Sequence, residues 1–119
     1  MALPDSKMLA VTRQGDVYVI EFMITSLLDR LSIETIGREI EQLVAKSGHP
    51  KFIINFSNIN QVSSSMLGVL IALNTQTKNM KGELRLAAIP ASIMQVFQLT
   101  RLDKLFKIYD STHAAVTKF

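Results

Sequence analysis

Three consecutive serines, Ser63-Ser64-Ser65, stand directly before the apolar run Met66-Leu67-Gly68-Val69-Leu70-Ile71-Ala72-Leu73. A serine cluster ahead of such a run marks a helix start. Serine is a preferred N-cap, and its oxygen accepts from one of the amides that the first turn leaves without a partner. The same position suits a second chemistry. A helix start presents free N–H groups and a partial positive charge, so it tolerates a phosphate well. The triplet therefore has a structural use as a cap and a functional use as an anion-binding or phosphorylated site.

The rest of the catalytic inventory is thin. The only histidines are His49 and His113, and they form no i, i+4 pair. His49 precedes Pro50 in a loop signal, and both histidines are expected at the surface. No phosphate-cradling glycine motif exists among the five scattered glycines, and cysteine is absent. Disulfides, thiolate nucleophiles and Cys-based metal sites are thereby excluded. No catalytic residue, no metal site, no cofactor and no intrinsic turnover are expected.

At 119 residues the chain has the length of one domain, and 48% apolar with 19% charged residues is the profile of a folded globule. The net charge of +3 comes from 13 basic and 10 acidic side chains scattered along the sequence. With Trp absent and aromatics at 7%, a nucleic-acid partner is not expected. Residues 1–7 read as a tail without the basic-then-apolar form of a signal peptide, followed by one domain over residues 8–119. The apolar stretches fall well short of the ~20 residues of a membrane helix. A soluble, cytoplasmic protein with no membrane insertion is the expectation.

The elements that must position the serines follow from periodicity. Met8 to Thr12 and Val17 to Phe22 are extended runs around the hairpin signal Gln14-Gly15-Asp16. Leu31 to Lys46 is a helix whose buried stripe is Ile33, Ile36, Ile40, Leu43 and Val44. Ser32 or Asp29 caps it, and Gly48 and Pro50 stop it. Phe52-Ile53-Ile54 lacks alternation, as a central strand covered on both faces does. A loop from Ser57 to Gln61 leads to the serines and to a helix reaching about Lys78, with Gly82 beyond it. Leu84 to Ile89 reads as a strand, Pro90 opens a helix over Ala91 to Leu99, and Phe106 to Tyr109 is a last strand. Asp110-Ser111-Thr112 caps a terminal helix over Ala114 to Lys118. The order ββαβαβαβα predicts an α/β fold with one mixed sheet and helices packed against it.

Residues 53–73, IINFSNINQVSSSMLGVLIAL, resemble the signature of the STAS domain, the fold of bacterial anti-sigma factor antagonists. The family pattern is a strand ending in Asp or Asn, a short loop, then Asp-Ser-Ser-Gly-Leu-Gly opening a helix. Asn55 matches the strand end, Ser64 and Ser65 match the serine pair, and Leu67-Gly68-Val69 matches the helix start. Leu28-Asp29 followed by Ser32-Ile33-Glu34-Thr35 resembles the family's Leu-Asp and the helix start after it. Pro90 to Ile108 resembles its Pro-x-Val-x-x-Leu-Phe segment and the Leu, Phe and Ile beyond that segment. The likeness thus runs along about a hundred residues.

The resemblance implies a regulator that acts by reversible protein binding. In that family an anti-sigma factor, itself a serine kinase of the histidine-kinase-like ATPase fold, phosphorylates the first serine of the pair, which by position is Ser64. The unphosphorylated antagonist binds that partner, the phosphorylated form lets go, and a phosphatase restores it. Asp29, Ser63, Ser65 and Met66 are the implied switch and partner-binding region around Ser64. Two positions depart from the pattern: Ser63 replaces the acidic residue before the pair, and Met66 replaces the glycine after it. Met66 is either a core filler or an apolar side chain at the contact surface. Asp29 is either the cap of the first long helix or the acidic residue near the serine. The alternative function is an unphosphorylated STAS scaffold or ligand-sensing module, related to the STAS domain of sulfate transporters.

Overall fold

The computed structural model describes residues 8–48 and 50–117. The tail over residues 1–7, His49 and the last part of the terminal helix at Lys118 lie outside the described residues. Strands β1 (Leu9–Gln14) and β2 (Val17–Phe22) form an antiparallel hairpin. Its two-residue loop has Gly15 at φ +64°, a left-handed conformation that glycine adopts without steric cost. The two-residue strand β3 (Ser26–Leu27) leads into helix α1 (Arg30–Lys46). Strand β4 (Lys51–Asn55), the two-residue β5 (Gln61–Val62) and helix α2 (Ser64–Asn79) come next. The remaining elements are β6 (Glu83–Ala87), α3 (Ala91–Leu99), α4 (Leu102–Leu105), β7 (Lys107–Tyr109) and α5 (Thr112–Thr117).

The main sheet has the order β1-β2-β4-β6-β7, with β2, β4, β6 and β7 parallel. The expected single mixed sheet is therefore present, and Phe52-Ile53-Ile54 is its central strand, fully buried. Strand alternation divides the sheet into two faces. Tyr18, Ile20, Phe22, Phe52, Ile54, Leu84 and Leu86 join the larger core under the helices. Helix α1 contributes to that core the stripe its spacing predicted, Ile33, Ile36, Ile40, Leu43 and Val44. Aromatic rings thread it: Tyr18 stacks on Phe52 at 5.1 Å, and Phe22, Phe56, Phe97 and Phe106 form a chain of edge contacts. On the opposite face Val17, Val19, Ile53 and Ala87 are covered by Ala115 of α5. Burial of these side chains is the main stabilising term.

Several boundaries differ from expectation for local reasons. Helix α2 begins at Ser64, because of the three serines it is Ser63 that serves as its cap. Strand β6 stops at Ala87, where Ala88 turns the chain at φ +56° and donates its amide to the Tyr109 carbonyl. Helix α5 begins at Thr112, two residues early. Gly82 is a spatial requirement as well as a stop, since a Cβ there would meet the Pro50 carbonyl oxygen at 2.0 Å. The elements β3, β5 and α4 have no counterpart in the expected order.

Candidate functional site

The short ladder between β3 and β5 builds the site. Ser26 pairs with Gln61 and Leu27 with Val62, in parallel. The Ser63 amide extends this ladder by donating to the Leu27 carbonyl at 3.0 Å, and Asn60 does so at its other end by donating to Thr25 at 2.8 Å. Two parallel segments in this register leave side by side. Asp29 and Ser64 therefore lie at matching positions, and α1 and α2 start next to each other. Both starts lie at the edge where β2, β4 and β6 end, the place where open α/β sheets carry their ligand sites.

The loop that delivers the serines is anchored. Phe56 and Ile59 are buried and pin it from below. The Asn55 side chain accepts from the Ser57 amide at 2.8 Å and donates to the Thr112 hydroxyl at 3.1 Å. The Asn58 amide group donates to the Phe22 carbonyl at 2.8 Å. Asn55 and Asn58 thus tie the loop to neighbouring elements, and the Ser57 amide on the Asn55 side chain is an Asx turn.

Each serine of the triplet has a different environment. Ser63 is the N-cap in an extended conformation, and its hydroxyl accepts from the Met66 amide at 3.3 Å. Ser64 and Ser65 occupy the first two helical positions and are exposed. Their own amides lie among the four that a helix start leaves without an intrahelical carbonyl. No acidic side chain occupies the first turn of α2, so its partial positive charge is not offset there. An oxyanion on Ser64 would stand beside that charge.

Met66 corrects one expectation. Its side chain is 0% exposed and packs in the larger core, so it does not face a partner. The third helical position of α2 points inward, toward the layer under α1. Asp29 acts as the cap of α1, with its carboxylate accepting from the Ser32 amide and hydroxyl, each at 2.9 Å. The bond from the Ser32 amide, then that from its hydroxyl, holds the Asp29 carboxyl below the usual carboxylate range. Asp29 therefore stands at the start of α1 as an anion whose Oδ2 is engaged with its own helix.

Three exposed apolar side chains at this edge were not anticipated. Met23, Leu28 and Leu31 are 54%, 49% and 68% exposed and surround the start of α1. Leu31 lies outside the buried stripe of α1, which was the available sequence signal. Exposed apolar side chains in company are a mark of protein contact surfaces. His113 is exposed, on α5, the helix that covers the other face of the sheet. Among the described residues no group of His, Cys, Asp and Glu is placed to hold a metal ion.

The STAS domain family model matches residues 8–115, and the chain belongs to that family. Solved structures of anti-sigma factor antagonists share the fold. One from Mycobacterium paratuberculosis is 24% identical with a TM-score of 0.80, over 99% of this chain and 97% of its own. An anti-sigma-factor antagonist (STAS) domain protein from Planctomyces limnophilus is 20% identical with a TM-score of 0.82, over 92% and 95%. The Bacillus cell fate determinant SpoIIAA in its phosphorylated form is 18% identical with a TM-score of 0.72, over 92% and 97%. No helix among the described residues is long and apolar enough to cross a membrane.

Proposed function

We propose that this protein is an anti-sigma factor antagonist, switched by reversible phosphorylation of Ser64. The observation that carries the proposal is the exposed Ser64 hydroxyl at the first position of α2, on an anchored loop beside exposed Met23, Leu28 and Leu31. The STAS family membership and the antagonists that share the fold support it, one of them in a phosphorylated form. On this reading the protein is a cytoplasmic binding partner and a kinase substrate rather than an enzyme. Its partner is an anti-sigma factor with serine kinase activity, and a phosphatase resets the switch.

The physics suits two states. Phosphate adds about −1.5 to −2 charges at one surface point. The start of α2 accommodates that charge, so the domain stays folded. An apolar partner surface closed over the same point does not, because a desolvated charge without a counter-ion is costly. Ser64→Asp is therefore expected to fold normally and bind an anti-sigma factor poorly, while Ser64→Ala binds constitutively. The test is phosphosite mapping on protein from its native cell, with pull-down of both variants by the purified anti-sigma factor. Phosphate found only elsewhere, or equal binding by the two variants, would replace this reading with that of an unphosphorylated scaffold.

A further inference from the structure

The end of the domain opposite the serines has a different chemistry. There β2, β4 and β6 begin and α1 and α2 finish, and the Glu83 amide donates to the Pro50 carbonyl at 2.8 Å to tie two strand starts together. Lys46 and Lys78 lie in the last turns of α1 and α2, and Lys81 stands in the turn before β6. Arg101 and Lys104 come from the corner between α3 and α4. All five are exposed, and none has an ion-pair partner among the described residues. Of the acids here, Asp16 is engaged with Lys51 at 3.0 Å and Glu83 with Arg85 and Lys107, while the half-buried Asp103 stands between Arg101 and Lys104 and offsets part of the charge of that corner.

A second observation at the same end is independent of charge. Leu99 is 85% exposed and Leu105 is 41% exposed, and they flank Arg101 and Lys104 in the α3–α4 corner. Leu105 lines a small notch together with Lys78 and Lys107, which places that corner against the end of α2. Helix dipoles account for cations in the last turns of α1 and α2. They do not account for Lys81 and Arg101, which lie outside helices, or for two leucines left in water among cations.

We infer that this end is a peripheral docking face for an anionic lipid bilayer. Cations attracted to headgroup charge, with apolar side chains reaching past them, are the combination that holds soluble domains on such surfaces. Single-stranded nucleic acid fits less well, because it is gripped by exposed aromatic rings that stack on bases. Among the described residues, Tyr18 and every phenylalanine are buried, and Tyr109 lies half-buried against the Arg85 guanidinium. The docked domain would present Ser64 away from the bilayer, so this inference goes beyond the proposed switch and does not depend on it.

The test is co-sedimentation of the full chain with vesicles of phosphatidylcholine alone or mixed with phosphatidylglycerol. Binding is expected to the mixed vesicles in dilute buffer, not to the neutral ones, and to vanish in about 1 M salt, where screening acts within about 3 Å. Combined Lys78→Glu, Lys81→Glu and Lys104→Glu should weaken partitioning about a hundredfold. Combined Leu99→Ser and Leu105→Ser should weaken it about tenfold while leaving its salt dependence. Matched unfolding midpoints establish that each variant is folded, with Lys→Gln replacements used where the reversals are not. Ser64→Asp should bind vesicles as the parent does. No binding to mixed vesicles, equal binding by the lysine variants, or tighter binding to an oligonucleotide would overturn the inference.

Discussion

Helices α1 and α2 start side by side yet are finished differently. The start of α1 carries a carboxylate cap, with two 2.9 Å bonds from one serine to Asp29. The start of α2 carries a hydroxyl cap with one 3.3 Å bond, and two exposed serines come after it. Both helices bury an apolar stripe in the same core, so the difference is not needed for packing. It teaches that a helix start already holding an anion is closed to another, while one capped by a neutral oxygen keeps its amides and its charge available. The position that resembles a family phosphorylation site is on the open one.

The largest expected effect tests whether the open start is nonetheless rigidly seated. Met66→Ala should destabilise the protein by about 2–5 kcal/mol in chemical denaturation, because it removes a fully buried side chain beneath the first turn. A loss below about 0.5 kcal/mol, the range of surface substitutions, would return Met66 to the surface. The next effect concerns the caps. Ser63→Ala should cost about 0.5–1 kcal/mol, and Asp29→Ala should lower the unfolding midpoint further. The opposite order would remove the contrast between the two starts.

Acid titration sharpens the comparison. The Asp29 carboxyl is held below its ordinary value in the folded state, so the unfolded chain takes up its proton first. Its contribution is complete above the ordinary carboxylate pKa and disappears as pH falls through the lower folded value. Asp29→Asn should therefore differ from the parent at neutral pH and converge with it in acid, whereas Ser63→Ala should keep a constant offset. The smallest effect compares added charge at matching second helical positions. Ser65→Asp should stabilise by about 0.3–1 kcal/mol in low salt, and Leu31→Asp should gain less because Asp29 already occupies that start. Equal gains would mean that the two starts are electrostatically alike.

Much of the fold was legible because it rests on repeating patterns. The stripe of α1 recurs over about three turns, from Ile33 to Val44, and Phe52-Ile53-Ile54 lacks the alternation of a half-exposed strand. Pro90 could be placed because its fixed φ suits the residue before a helix, and it is there at φ −60°. The elements that escaped notice have no period. The β3–β5 ladder is two residues long and exists through backbone bonds to a distant segment, which side-chain identity does not encode. Helix α4 is one turn. The serine triplet was legible as a helix start, but which serine caps depends on the phase set by that ladder. The inward direction of Met66 depends on the same phase.

Helix α5 has a consequence for the order in which the molecule is completed. At six residues it is too short to persist alone, and it is held by Thr112 on Asn55 and by the Ala115 carbonyl on the Arg85 guanidinium. It is the last described element to be synthesised, while the strip it covers, Val17, Val19, Ile53 and Ala87, is made much earlier. Once Phe106 has closed the larger core, the sheet has one covered face and one uncovered apolar strip until residue 117 has emerged. During that interval the second face is open to chaperones and to other nascent chains, and arrival of α5 ends that exposure.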